Sequence, residues 1–115
     1  MIRYGIIGTG RMGKNHAGVI AEIPEAQVTA AYDIDPAALD MFCSEYQATR
    51  CSSARELAAH PEVDCVIITS PTYCHQEGLE AAVAANKPIF CEKALCRTAE
   101  AAKEITGLLK NYPKL

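Results

Sequence analysis

Short apolar runs alternate with helix-like stripes along the whole chain. Runs rich in Ile, Val and Ala predict strands at residues 3–7, 28–32, 63–69 and 89–91, with a weaker candidate at 48–51. Between them, apolar residues spaced three and four apart predict helices over 11–23, from 36 onward, over 54–59 and 73–85, and after 98. This alternation is typical of βαβ units, so the pattern predicts an α/β fold with a doubly wound, mostly parallel sheet.

The sequence predicts where the first helix ends and which side chain caps the last helix. The first helix is expected to bury Val19, Ile20 and Ile23 on one face and to end before Pro24, which cannot continue a helix. The last helix is expected to begin at Thr98, whose hydroxyl is a suitable N-terminal cap.

Length, composition and charge narrow the function classes. The chain has 115 residues, 50% hydrophobic and 22% charged, which predicts one globular domain over residues 1–115. The net charge of −3 and the scattered Lys and Arg argue against a nucleic-acid partner, because a polyphosphate requires a positive surface. No apolar stretch reaches the length of a membrane span, so no membrane partner is expected.

The cysteine pattern and the N-terminal residues indicate in which cellular compartment the protein is expected. The six cysteines form no CxxC pair and have no histidine at zinc spacing, which predicts reduced thiols and no metal site. The N-terminus enters a strand at once and leaves no room for a secretory signal. We therefore expect a cytoplasmic location.

The sharpest local signal is a glycine motif between the first predicted strand and the first helix. Residues 8–13 read Gly-Thr-Gly-Arg-Met-Gly, a GxGxxG. Its first glycine permits a tight turn, its second lets backbone approach a pyrophosphate, and its third lets the helix pack closely on the strand. The alternative is an ordinary glycine-rich turn. The candidate cofactor-binding residues of this motif are Gly8, Gly10, Arg11, Met12 and Gly13.

An acid at the end of the second predicted strand indicates which dinucleotide would bind. Asp33 lies where such folds place the carboxylate that accepts hydrogen bonds from the adenosine ribose, about 20 residues after the glycines. A carboxylate about 4 Å from a phosphate repels each unit of its charge by roughly 4 kcal/mol at an effective dielectric constant of about 20. The sequence therefore predicts NAD, with NADP disfavoured, and Ile34 against the adenine. Alternatively, Asp33 or Asp35 only caps the helix at Pro36; we assign the cap to Asp35 and the ribose to Asp33.

Two further polar segments follow predicted strands, at the sheet edge where α/β folds bind ligands. Residues 70–75 read Ser-Pro-Thr-Tyr-Cys-His, and residues 91–93 read Cys-Glu-Lys. Together with the glycine motif, His16, Asp33 and the turn at 85–88, these segments resemble the N-terminal NAD(P)-binding domain of the Gfo/Idh/MocA family, the glucose–fructose oxidoreductases and inositol dehydrogenases. The resemblance covers essentially the whole chain and implies a Rossmann-type fold.

The resemblance also implies roles for individual residues. The family lysine that matches Lys93 lies beside the nicotinamide and helps to polarise or deprotonate a substrate hydroxyl, which makes Lys93 the candidate catalytic residue. Glu92 matches an acid near the nicotinamide ribose, and Ser70, Pro71 and His75 match the family's cofactor-binding segment. Two alternatives stay open: Lys93 as a solvated surface lysine, and His75 as a structural histidine at a helix start.

The chain departs from the family at two places. Ala94 follows Lys93 where the family has proline, which affects how the lysine is oriented. Family members also continue into a second α/β domain that forms the substrate site, and this sequence has no counterpart of it. The resemblance thus implies the nucleotide-binding half of an NAD-dependent oxidoreductase acting on a sugar, polyol or related alcohol, with little turnover by this chain alone. The alternative is a non-catalytic dinucleotide-binding or redox-sensing module.

The last predicted strand is expected to form an exposed sheet edge. The sequence stops where a sixth parallel strand would be expected, which leaves residues 89–91 at that edge. Because an apolar edge strand recruits another chain, we expect a homo-oligomer formed through this region.

Overall fold

All five predicted strands pair in one parallel sheet, in the order β3-β2-β1-β4-β5, in a computed structural model that describes residues 1–93 and 95–110. The strands are β1 (Ile2–Ile7), β2 (Ala26–Tyr32), β3 (Thr49–Arg50), β4 (Cys65–Ile68) and β5 (Ile89–Cys91). The helices are α1 (Arg11–Ala21), α2 (Pro36–Tyr46), α3 (Ala54–Ala59), α4 (His75–Ala84) and α5 (Ala99–Leu109). The doubly wound, Rossmann-type α/β fold is confirmed. Ala94 and residues 111–115 lie outside the described residues.

Helices cover both faces of the sheet, so successive strand residues are buried in two different cores. In β1, Ile6 belongs to the core under α1 and α2, and Ile7 to the core under α3, α4 and α5. The same alternation places Ile67 and Ile68 of β4 in opposite cores. This two-sided burial explains why the strands are continuous apolar runs rather than alternating ones.

Side chains that satisfy free backbone N–H groups fix where the helices begin. Asp35 Oδ1 accepts a hydrogen bond from Ala37 N at 3.0 Å, and Thr98 Oγ1 accepts one from Ala101 N at 3.0 Å. Both predicted caps are therefore confirmed.

Two sequence-based boundaries were wrong. Helix α1 ends at Ala21, and of its three predicted core residues only Ile20 is buried, while Val19 is 61% and Ile23 43% exposed. Strand β4 begins at Cys65 rather than at residue 63, because the N–H of Val63 is used in a turn with the carbonyl of His60.

Strand β5 is the last strand on its side of the described sheet. It pairs with β4 alone, and the Phe90 side chain is 51% exposed. Within the described residues the expected apolar sheet edge is therefore present.

Candidate functional site

The predicted site residues follow the carboxyl ends of β1, β2, β4 and β5. Strands β1 and β4 are neighbours, yet the helix after β1 packs on one face of the sheet and the helix after β4 on the other. The chain therefore leaves the sheet in opposite directions at this point and opens a crevice between the loops, which is where open α/β sheets bind ligands.

Two glycines of the motif are required by the protein's own packing. Gly8 has φ +101°, and a Cβ atom there would lie 2.2 Å from Ser70 N. A Cβ atom on Gly13 would lie 2.1 Å from the carbonyl oxygen of Gly8, so this glycine lets α1 approach the loop. Alanine could occupy neither position without displacing backbone.

No packing contact with the described residues requires glycine at the middle position of the motif, Gly10. A Cβ atom on Gly10 would meet no described atom within 4 Å. Gly10 is also the N-terminal cap residue of α1, and no side chain caps this helix among the described residues. Since the first turn of a helix leaves N–H groups without intrahelical partners, Gly10 borders open space that faces free donors. These features fit a phosphate group, which needs close backbone approach and N–H donors.

Hydrogen bonds to Asp33 connect the end of β2 to the glycine loop. Its Oδ2 accepts hydrogen bonds from Thr9 N at 2.7 Å and from Thr9 Oγ1 at 2.9 Å. Its Oδ1 accepts one from Asp35 N at 2.9 Å. A carboxylate offers about four acceptor positions, so about one remains for a ribose hydroxyl.

A small pocket opens beside Asp33, between the glycine loop and the start of α4. Ile34, which is 59% exposed, forms part of its wall. The buried Ser70 Oγ has no hydrogen-bond partner among the described residues. No Lys or Arg lines the pocket within the described part of the chain, so its charged groups are carboxylates. Its lining residues are Ile7, Gly8, Tyr32, Asp33, Ile34, Ser70, Pro71, Cys74, Glu77 and Gly78.

Sequence reasoning missed Glu77 in this lining. Its carboxylate acts electrostatically on the same two pocket residues as that of Asp33: burial raises the pKa of the Tyr32 phenol and of the Cys74 thiol, and the charges of Glu77 and Asp33 raise both further. The available signal was spacing, because residues 74, 77 and 78 follow one another at helical intervals just after the predicted cofactor-binding segment.

His75 lies beside this pocket but does not line it. Its side chain is buried, with 1% exposure. Nε2 lies 2.8 Å from the carbonyl oxygen of Ser70, and Nδ1 lies 3.2 Å from that of Leu95. The ring thus connects the loops after β4 and β5, which is the arrangement expected of a structural histidine. A contact between His75 and a cofactor stays a prediction.

Glu92 and Lys93 follow the end of β5 and do not line the pocket. His16 Nε2 is 2.8 Å from Glu92 Oε2, and this hydrogen bond holds the pKa of Glu92 below its usual value. The His16 ring also packs edge-on against Phe90, which ties α1 to β5. His16 therefore makes the contacts of a structural histidine that joins two neighbouring segments.

Lys93 is exposed, and its backbone N–H lies 3.3 Å from Glu92 Oε1. The side chain makes no hydrogen bond or ion pair within residues 1–93 and 95–110. Arg11 and Met12, at the start of α1, are also exposed. The structure therefore places the predicted residues along one extended edge rather than in a single cavity. An extended ligand with two nucleotide ends fits that arrangement.

Two other searches of the described residues gave negative results. No group of three or more His, Cys, Asp or Glu side chains there could hold a metal ion. None of the helices described is both long enough and apolar enough to cross a membrane.

Comparisons with known proteins agree with this geometry. A family model described as an oxidoreductase family with an NAD-binding Rossmann fold, Gfo/Idh/MocA, matches residues 2–115. Inositol 2-dehydrogenase from Agrobacterium fabrum is 36% identical over 107 residues, which are 90% of this chain and 32% of that protein. The chain spans about a third of the length of this relative.

Two solved structures with bound nicotinamide cofactors are also similar to this chain. Scyllo-inositol dehydrogenase from Lactobacillus casei, with bound cofactor NAD(H) and scyllo-inositol, matches with a TM-score of 0.88 and 32% identity, covering 100% of this chain and 34% of that one. Biliverdin reductase from Synechocystis, in complex with biliverdin and NADP+, matches with a TM-score of 0.88 and 27% identity, covering 99% of this chain and 36% of that one.

Proposed function

This chain belongs to the Gfo/Idh/MocA oxidoreductase family, and from that membership we propose that it is the nucleotide-binding half of an enzyme that transfers a hydride between nicotinamide and a sugar, polyol or related alcohol. The observation that carries the proposal is the loop around Gly10, which borders open space and the uncapped start of α1. The inositol dehydrogenases among its relatives support the substrate class. The hydride acceptor or donor is the nicotinamide ring, when bound.

We propose NAD rather than NADP as the cofactor. The Asp33 carboxylate, already held by Thr9, faces the pocket in which we place the adenosine, and no cationic side chain in the described lining would offset it. A phosphate on that ribose would be repelled. Because the biliverdin reductase described above is solved with NADP+, the test compares both cofactors directly.

Calorimetric titration of the 115-residue chain with NADH, NADPH and S-adenosylmethionine tests both proposals. We expect saturable NADH binding and NADPH binding at least about tenfold weaker. S-adenosylmethionine represents the alternative of a Rossmann-type methyltransferase, and we expect no measurable binding of it. An Asp33→Asn variant should bring the NADH and NADPH affinities closer together. Preferential binding of S-adenosylmethionine would overturn the dehydrogenase assignment.

Lys93 is the residue we assign to proton transfer at the substrate hydroxyl. It follows β5 at the same edge as the glycine loop, and its exposed side chain makes no hydrogen bond or ion pair with the described residues. An ammonium at that place can hydrogen-bond an alcohol oxygen and hold or release a proton there. Glu92, held by His16, is the neighbour that we assign to the nicotinamide ribose. Turnover by this chain alone should be small, since no described group positions an alcohol.

A second candidate is a dinucleotide-binding or redox-sensing module without turnover. Ala94, in place of the family proline after Lys93, favours it. Comparing an Ala94→Pro variant with the parent separates the two candidates. A variant that gains turnover with NAD+ and a polyol supports the enzyme. Because both candidates predict little turnover by the parent chain, the module is supported only if Ala94→Pro weakens NADH binding without adding turnover.

We also propose that the chain forms a homo-oligomer through the β5 edge. The supporting observation is the half-exposed Phe90 on the outermost described strand. Light scattering at tens of micromolar protein should give a dimer or larger species, and Phe90→Lys should shift it towards monomer. A monomeric parent at that concentration would contradict this proposal.

A cytoplasmic location is the compartment we propose. All six cysteines are free thiols, and unpaired thiols persist in reducing compartments. Fractionation of cells that express the tagged chain tests it, and recovery from an oxidising compartment would contradict it.

A further inference from the structure

We propose that Glu77 is a second specificity-determining residue, which acts with Asp33 to exclude nucleotides that carry a phosphate on the adenosine ribose. The inference rests on the proposed function, because it takes the pocket beside Gly8 as the adenosine end of a dinucleotide site. On this proposal, Glu77 of α4 and Asp33 at the end of β2 both select against NADPH, where Asp33 would otherwise act alone.

The position of Glu77 is fixed by the fold. It lies in the first turn of α4, which starts directly after the loop that holds Ser70 and Pro71. Its side chain is exposed and lines the same pocket as Asp33. The two carboxylates therefore approach one ligand from two different elements.

Among the described residues, Glu77 differs from Asp33 in that its charge has no direct partner. Within residues 1–93 and 95–110, its carboxylate makes no hydrogen bond or ion pair, whereas Asp33 accepts hydrogen bonds from Thr9 and Asp35. One turn further along α4, Glu80 differs, since its Oε1 accepts a hydrogen bond from Gln76 Nε2 at 3.1 Å and it does not line this pocket. Glu77 is thus the α4 carboxylate that lines this pocket, and Arg55 lines a neighbouring pocket together with both Glu77 and Glu80, so the control variant shares that cation.

The charge of Glu77 also acts on neighbouring groups. Tyr32 and Cys74 line the pocket, and after burial the largest influence that raises the pKa of each is the charge of Glu77, ahead of Asp33. A field that disfavours a phenolate and a thiolate also disfavours a phosphate. A nucleotide without that phosphate carries no charge at this end and is little affected.

The test measures the ratio of NADPH to NADH dissociation constants for the 115-residue chain and three variants. Glu77→Gln removes the charge and keeps the side-chain shape. Glu80→Gln removes an equal charge one turn away and is the matched control. Asp33→Asn is the positive control. Because Glu77 and Glu80 are both exposed, we expect these variants to fold, and thermal melting checks that they do.

We expect Glu77→Gln to lower the ratio about five- to tenfold at low salt, with NADH affinity changed less than about twofold. Glu80→Gln should change the ratio by less than about twofold. In 1 M salt, where screening acts over about 3 Å, the difference between the two variants should largely disappear.

Several outcomes would overturn the inference. A Glu77→Gln ratio equal to that of the parent or of Glu80→Gln refutes charge selection by Glu77. An equal loss of both affinities means that Glu77 contacts the nucleoside and does not select by charge. If the parent chain binds NADH and only the ratio fails to move, this inference alone falls. If the parent does not bind NADH at all, the proposed function falls with it.

Discussion

Alanine substitutions at the motif glycines separate the residue that a ligand requires from those that the fold requires. Gly8→Ala places a Cβ atom 2.2 Å from Ser70 N at φ +101°. The backbone conformation costs about 1–3 kcal/mol and the crowding about 1–3 kcal/mol, so a loss of about 2–6 kcal/mol is expected. Gly13→Ala has the crowding without the φ penalty, and the better helix propensity of Ala returns about 1 kcal/mol.

Gly10→Ala should behave differently. Its Cβ atom would meet nothing within 4 Å. Ala is a poorer N-terminal cap than Gly, but it restricts the unfolded chain by about 0.4–1 kcal/mol, so the two effects nearly cancel. We expect a change in unfolding free energy within about 0.5 kcal/mol, together with at least a tenfold loss of NADH affinity.

Urea unfolding followed by circular dichroism gives the stability, and NADH fluorescence gives the affinity. Gly107→Ala, in α5 and also free of contacts within 4 Å, is the matched control, because it should stabilise the helix slightly and leave NADH binding unchanged. The reasoning is refuted if Gly10→Ala binds NADH as tightly as the parent, or if it loses more than about 2 kcal/mol of stability.

Three further predictions follow from side-chain contacts. Hydrogen bonds from Arg3 lower the pKa of Asp64 to about 2, from an ordinary 3.8, so the stability that this carboxylate contributes is present above about pH 4 and lost as the pH falls towards 2. Urea midpoints of the parent and Arg3→Gln should therefore differ at pH 5 and converge near pH 2; a constant gap would contradict this. Thr98→Ala should cost about 1 kcal/mol and Thr98→Ser much less, by thermal melting, because the hydroxyl caps α5. Burial raises the pKa of Cys51 and of Cys91 to about 11, so both thiols should react slowly with iodoacetamide at pH 8. Labelling of either cysteine at the rate of a solvent-exposed thiol would contradict this prediction.

The fold could be predicted because its signals are local and repeated. Strands buried on both faces are apolar throughout, so they are recognisable in the sequence. Cap residues such as Asp35 and Thr98 mark where helices begin. What failed depended on tertiary packing. In α1 the buried positions are Gly13, Ala17 and Ile20, so small residues face the sheet and Val19 is left outside. Apolar character alone cannot distinguish such a close-packed small-residue face from an ordinary hydrophobic stripe.

The candidate site was predictable where a motif fixes the backbone. Residues 8–13 lie at the carboxyl end of β1 as expected, and Asp33 contacts the loop through Thr9. Sequence reasoning missed Glu77, because its approach to the pocket depends on how α4 packs against the sheet. His75 could be placed near the site but not in its wall, since the direction of its ring is set by the carbonyls of two loops.

The central claim is that the start of α1 and the end of β2 hold a dinucleotide. It is tested most directly by following backbone amide resonances of the nitrogen-15-labelled chain during titration with NADH. The account predicts saturable shifts concentrated at Gly10, Arg11, Met12 and Asp33, with the amides of α5 unmoved. Saturable shifts elsewhere with those four unchanged, or no saturable shift at millimolar NADH, would contradict it.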